Sequence, residues 1–336
     1  MSRCPRAWPL AGPRLPMPGP FGQHSPMQPV EIQTAEARFE VHPELGGWLT
    51  SYSREVAGKG RIDVLHSDPD AVARHPKDMW AGIPLLFPLV SFNHVPGAEH
   101  HYEWQGQRHA LPQHGFARRL PWTVLGTSPD AVAMELVDTP STRAAWPFSF
   151  SHRLEYRLDG GRLVARHAVT NRSPGPMPFA CGIHPYLRVP LVAGGDRDAC
   201  RVKIPRAQRL NPIGRWDGFF GEPFPARDLS IAGDYSGTLF LGELAEPELR
   251  LVDPAAGVET VLNWSGAPGF RNVALWSRTP REPYFCLEPW TALPNAFTRA
   301  EPGELIVLEP GGTWTAHWWL DAVASHGPSV PRPPGR

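Results

Sequence analysis

The chain has 336 residues, and 33 lysines plus arginines balance 33 aspartates plus glutamates, so the formal charge is zero. That balance offers no electrostatic footprint for nucleic acid or an anionic membrane surface, and the sequence holds no run of ~18 apolar residues able to span a bilayer. The four cysteines (Cys4, Cys181, Cys200, Cys286) have no short paired spacing, which argues against a zinc knuckle or disulfide framework and for a cytoplasmic protein with reduced thiols.

Residues 1–29 are rich in proline and lack the continuous apolar stretch of a signal peptide, so a disordered leader is expected. The apolar segment Trp80–Pro88 contains Pro84 and Pro88 and reads as a core-lining loop or irregular edge strand. His94, His100, His101, His109 and His114 follow, a cluster that invites a metal reading. On a strand, however, adjacent His100 and His101 point to opposite faces and cannot share one ion. With Glu99 before them and Tyr102-Glu103-Trp104 after, they read as an exposed hairpin edge, and no metal is expected.

A strand is predicted at Ala131–Val137. From Phe148 the residues Phe148, Phe150, His152, Leu154, Tyr156 and Leu158 alternate with polar ones. Asp159-Gly160-Gly161 supplies a turn, and Leu163, Ala165, His167 and Val169 alternate on the return, the pattern of an antiparallel hairpin. Similar runs recur at Thr238–Leu241, Leu249–Val252, Val258–Trp264, Asn272–Trp276, Tyr284–Leu287, Leu305–Leu308 and Thr313–Leu320. No stretch longer than about ten residues keeps a helical period. Many short strands with Gly/Pro connections predict an all-β chain: one large antiparallel β-sandwich over residues 30–323, then a second proline-rich tail over 324–336.

The chain lacks a Gly-x-Ser-x-Gly elbow, a phosphate-binding Gly-x-x-x-x-Gly-Lys-Ser/Thr loop and a Gly-x-Gly-x-x-Gly turn, so three common enzyme classes lack their usual handles. Two residues carry the chemistry that remains. Pro185 biases His184 toward extended backbone, which aims its imidazole; the plainer alternative is a histidine hydrogen-bonded at a strand end. Glu288 follows the apolar run Tyr284-Phe285-Cys286-Leu287. A lone carboxylate there is costly unless paired or functional, and a structural salt bridge is the alternative. The 13 tryptophans suit sugar stacking, but large rings equally fill β-sandwich cores.

Five segments in order make the pattern more specific. They are Gly82–Pro88; Gln113-His114-Gly115-Phe116-Ala117-Arg118 with Trp122; Trp146-Pro147-Phe148 through Val169-Thr170-Asn171; His184-Pro185-Tyr186; and Glu288-Pro289-Trp290. Together they resemble the aldose 1-epimerase (galactose mutarotase-like) family over roughly Val30 to Ala322. The resemblance implies the mutarotase-type supersandwich and interconversion of the α and β anomers of an aldose or aldose phosphate, without cofactor or metal. It implies that Glu288 is the general base at the C1 hydroxyl and His184 the general acid at the ring oxygen, with His114 positioning a sugar oxygen. Arg118, Tyr186 and Trp290 would bind substrate, and Arg119 would face away if the segment is extended. Asp228 is the nearest counterpart of the family's sugar-binding aspartate, with Asp217 and Asp234 behind it.

Two departures stand out. Ser91-Phe92-Asn93-His94 replaces an arginine many relatives carry, and Ile183 stands where some sugar-handling members have a polar residue. With unperturbed values of ~4.3 and ~6.5, an ionised Glu288 and a charged His184 would coexist between those pH values. The expected partner is a small sugar, and the expected state a monomer or weak dimer. A non-catalytic carbohydrate-binding or sensing sandwich is the alternative function; a metal-dependent, cupin-like enzyme is a third.

Overall fold

The computed structural model describes residues 28–325. Most of the leader expected over 1–29 and of the tail expected over 324–336 lies outside those residues. Two large antiparallel sheets dominate. The first has nine strands in the order Thr123–Ser128, Ala131–Val137, Phe150–Asp159, Arg162–Asn171, Thr313–Ala324, Val258–Gly266, Glu248–Asp253, Arg201–Ile204 and Arg227–Ser230. The second runs Gly218–Phe224, Ala207–Ile213, Leu239–Gly242, Asn272–Trp276, Tyr284–Trp290, Gly182–Ile183 and Leu85–Leu86, with Tyr186–Arg188 also paired to Tyr284–Trp290. A four-stranded meander spans Val30–Gln33, Ala37–His42, Trp48–Val56 and Gly60–Asp63. This is the all-β sandwich the alternation predicts.

The hairpin forms as expected, with Leu158 opposite Leu163 and Asp159 opposite Arg162 around Gly160-Gly161. The Pro-rich segment contributes the two-residue edge strand Leu85–Leu86. Of the clustered histidines, His101 and His109 lie on the short hairpin His101–Trp104/Gln107–Ala110. His100 instead takes a left-handed φ of 58° just before it, so the adjacent pair is not held on one continuous strand.

Period-two alternation assigns the faces of the second sheet. Val273, Leu275, Phe285 and Leu287 join the main core; truncation of such a buried leucine to alanine costs about 2–5 kcal/mol. Ala274, Cys286, Glu288 and Trp290 fall on the opposite face, where Ala274 and Trp290 pack with Leu86, Val90, Ala292 and Ala296 and Cys286 packs with Tyr186 and Tyr284. One outer edge of the nine-stranded sheet, Thr123–Ser128, is exposed along its whole length. A register break between Val124 and Gly126 sets Leu125 out of the ladder there.

Two core histidines on the hairpin need a polar explanation, since both are nearly inaccessible. The Trp318 indole N–H donates to His167 Nε2 at 2.9 Å, so neutral His167 carries its proton on Nδ1 and donates to His152 Nε2 at 3.1 Å. His152 Nδ1 then bears a proton with no partner and lies among the rings of Phe87 and Trp122. Burial holds both imidazoles neutral, pushing His167 down to about 3 and His152 well below the usual histidine range.

The unfolded chain takes up protons at these histidines below ~6.5 and the folded chain does not, so stability falls as pH drops from there toward the folded value. His167 alone should withdraw about 2 kcal/mol between pH 7 and 5. Urea denaturation at the two pH values measures this, with His167→Gln expected to flatten the dependence. Equal stability at both would contradict the buried neutral pair.

Candidate functional site

Gly182 pairs with Trp290, and Tyr186 with Cys286, in one continuous register on the strand Tyr284–Trp290. Between them the partner strand breaks at His184-Pro185, so the register sets His184 opposite Glu288. Pro185 has no N–H to give to a ladder, while the amides of His184 and Tyr186 turn outward to the carbonyls of Pro84 and Gly82 at 3.2 and 2.9 Å. Two buried side chains meet as a result: His184 Nε2 lies 3.2 Å from Glu288 Oε2, with Glu288 only 2 % exposed. The contact is close but not aligned as a hydrogen bond, leaving Glu288 Oε2 and His184 Nδ1 without hydrogen-bond partners.

Burial governs the electrostatics. It pushes Glu288 well above the ordinary carboxylate range, opposed by Arg118 and then by the nearby Trp290 indole. That indole N–H approaches Glu288 without hydrogen-bond alignment. His184 is pushed down to about 3, first by burial and then by Arg118. The window of coexisting charges expected from unperturbed values is therefore corrected: burial favours the combination of uncharged His184 and protonated Glu288 over the ion pair. Both that state and the ion pair hold one proton, so transfer between the partners leaves net charge unchanged.

His114 stands beside the pair, its ring 5.7 Å from His184 and 5.9 Å from Trp290. Its φ of 62° is left-handed. The Ser91 amide donates to its Nδ1 at 3.1 Å, and its own amide donates to the Ser91 carbonyl at 2.6 Å. Burial keeps the ring neutral, first among several causes, so Nε2 carries the proton and can donate to an oxygen. The tight crossing depends on Gly115, where an added Cβ would sit 2.2 Å from the Phe87 carbonyl oxygen.

Tyr186 stacks on His184 at 4.6 Å, nearly parallel, and Trp276 meets both rings edge-on. Arg118 donates to the Gln113 carbonyl, and its burial pulls the guanidinium down to about 10. Ala117–Arg119 form a 3-10 turn rather than extended chain, which removes the basis for Arg119 facing directly away; Arg119 is exposed.

Glu288, His184, His114, Arg118, Tyr186 and Trp290 are thus brought together. Asp228 is not. It is exposed on the edge strand Arg227–Ser230 of the other sheet, paired in register with Lys203. Asp234 caps the Ser236 amide in an exposed turn. Asp217 lies 62 % exposed at a hairpin tip, 3.8 Å from His94.

That tip docks on the segment that replaces the arginine. Phe92 meets Trp216 at 4.4 Å, and the Arg215 carbonyl contacts His94 Nε2 at 2.7 Å. Ser91, Trp276 and Cys286 are the neighbours that motif reading passed over. The last two had a signal: Cys286 is two residues before Glu288, hence on the same strand face, and Trp276 is its cross-strand partner. The histidine cluster at His94–His109 does not converge into a ligand set among the described residues.

Comparison with known proteins follows the same lines. A family model described as aldose 1-epimerase matches residues 30–321. Protein LacX (plasmid) of Lactococcus lactis subsp. lactis is 25 % identical over 280 residues, covering 79 % of this chain and 88 % of its own. The Slr1438 protein of Synechocystis sp. PCC 6803 superimposes with a TM-score of 0.75 at 23 % identity, covering 92 % of this chain and all of its own. A galactose mutarotase related enzyme of Lactobacillus acidophilus gives 0.72 at 20 % identity, covering 88 % and 97 %. These two structures share the fold.

Gly115→Ala should lower stability by about 1–3 kcal/mol. Gly97→Ala, also at positive φ but with open space around its Cβ, separates the collision from backbone strain. Urea melts showing equal losses for the two would mean the crossing at Phe87 is not tight.

Proposed function

Because the chain belongs to the aldose 1-epimerase family, we propose that it interconverts the α and β anomers of an aldose by acid–base ring opening at His184 and Glu288. The observation that carries this is the buried 3.2 Å approach of Nε2 to Oε2 in register. Ring opening needs one proton to leave the C1 hydroxyl and one to reach the ring oxygen. A partner that accepts and a partner that donates, sharing one proton, satisfy both requirements.

In the family's assignment ionised Glu288 takes the hydroxyl proton while protonated His184 supplies the ring oxygen. Arg118 and the Trp290 indole favour the charged carboxylate this needs. The C1–O5 bond breaks as the carbonyl forms, C1–C2 rotates, and attack of O5 on the other carbonyl face runs both transfers backward. His114 Nε2–H would hold a sugar oxygen, and the Tyr186, Trp276 and Trp290 rings offer apolar walls. Arg118 would bind substrate hydroxyls or a phosphate group.

Anomer exchange by NMR on glucose, galactose and their 6-phosphates tests the reading. Glu288→Gln and His184→Asn should each slow enzyme-catalysed exchange roughly 100- to 10,000-fold. Exchange surviving both would remove the assignment. Saturable sugar binding with exchange held at the buffer rate would replace it with a carbohydrate-binding function.

The pair's titration makes a separate prediction. His184 takes a second proton only near about 3, and Glu288 releases its proton only well above the usual carboxylate range. The one-proton state therefore spans the interval between. Exchange should therefore show no acid limb at the ~6.5 of an ordinary histidine; a limb there would show that burial does not set the protonation of His184.

A further inference from the structure

Cys286 shares the strand face with Glu288, and no proton-transfer role falls to it. Its thiol sulfur, a ring nitrogen of His184 and a carboxylate oxygen of Glu288 all lie within 4.8 Å of one another, and all three residues are buried. Glu288 Oε2 lies 3.2 Å from His184 Nε2 and has no hydrogen-bond partner, which leaves a buried acceptor unsatisfied beside the imidazole. We propose that His184, Cys286 and Glu288 form a binding site for a borderline-soft divalent cation, Zn²⁺ foremost, that shuts the acid–base pair by coordinating both members. The inhibitory consequence rests on the epimerase reading; the binding site does not.

The donor set carries the choice of ion. One imidazole nitrogen, one thiolate and one carboxylate match zinc's usual ligands, and three protein ligands plus a water complete a tetrahedron. Calcium and magnesium prefer oxygen-only sets. Zinc–ligand bonds of about 2.0–2.3 Å put tetrahedral donors roughly 3.3–3.8 Å apart, so closing the site requires a contraction of about 1 Å. The Glu288 carboxylate, whose Oε2 no hydrogen bond holds in place, is the group that moves, since the His184 ring is packed by Tyr186, Trp276 and His114.

Charge favours occupancy. A dication with one thiolate, one carboxylate and one neutral imidazole is neutral overall, which suits a buried position. Arg118 opposes it as a nearby positive charge, and neutral His114 and Tyr186 do not add to that. On binding, the thiol proton leaves to solvent, as does the Glu288 proton when present; the Zn–S, Zn–O and Zn–N bonds form with no redox change.

Titration of the chelator-treated full-length protein with ZnCl2 by calorimetry, and with CdCl2 by ultraviolet absorption, tests the proposal. Expected are one saturable site, a cadmium–thiolate charge-transfer band and proton release into the buffer. The band should persist in Cys4→Ser and Cys181→Ser and vanish in Cys286→Ser. Zinc affinity should fall in Cys286→Ser by more than the roughly tenfold lower bound for losing an outer-shell partner. Cys286→Ala gives a second route should the serine variant fold poorly, and the wild-type band needs no variant.

Where anomer exchange is measurable, zinc should suppress it in the wild type and spare it in Cys286→Ser. No saturable zinc binding, or binding with an unchanged band in both Cys286 variants, overturns the site whether or not the protein exchanges anomers. Zinc binding intact with no exchange for any sugar would overturn the epimerase reading alone.

Discussion

The register of one strand pair is the constraint on which the site depends. Gly182 opposite Trp290 and Tyr186 opposite Cys286 are ordinary ladder positions, yet they bracket a break that cannot shift without moving His184 off Glu288. Because side chains alternate with period two, a slip of one residue would carry the imidazole to the main-core face. The Pro84 and Gly82 carbonyls hold the broken segment from its other side. Local backbone bonding thus serves the position of two side chains, and the surrounding sheet keeps that bonding in place.

Burial then decides how those side chains behave. Glu288, His184 and His114 are each shifted toward their neutral forms, with desolvation the leading cause every time. Among the described residues Arg118 is the charge that works against this at the carboxylate. A second group of histidines in the same protein shows the same physics without solvent access: His152 and His167 are neutral, linked to Trp318, and packed under Phe87. Phe87 in turn receives the amides of Phe116 and Ala117 on its carbonyl, so the loop carrying His114 is tied to the residue whose ring packs on His152.

Much of this was legible in the sequence, and the failures have physical reasons. The hairpin at Phe150–Asn171 follows from alternation, and the strands Ala131–Val137 and Asn272–Trp276 from short apolar runs between turn residues. The meander at Val30–Asp63 was passed over, though it supplies Phe39, Val41 and Tyr52 to the core. The hairpin Ala207–Phe224 was missed because it lies at an outer edge and carries Pro212 and Pro223, residues that usually argue against a ladder. Glu288 and His184 stand out in the sequence because a carboxylate after an apolar run and a histidine followed by proline are locally odd, and the fold brings their side chains within 3.2 Å. Asp228 misled because position along the chain does not say which sheet a strand joins. The direction of Arg119 stayed conditional on an extended segment because nothing near Arg118 shows periodicity, and the 3-10 turn there removes the condition.

The outer strand Thr123–Ser128 lies at the far side of the nine-stranded sheet from Arg227–Ser230. It exposes Val124 and Leu125, and its ladder is interrupted between Val124 and Gly126. An unbroken apolar edge of this kind would be a template for another chain to extend, strand upon strand. The interruption turns the free amides and carbonyls out of line, so an incoming strand finds a short matched stretch and then a mismatch. A sandwich with two wide open sheets thereby keeps its growth in check at one rim through a single displaced residue.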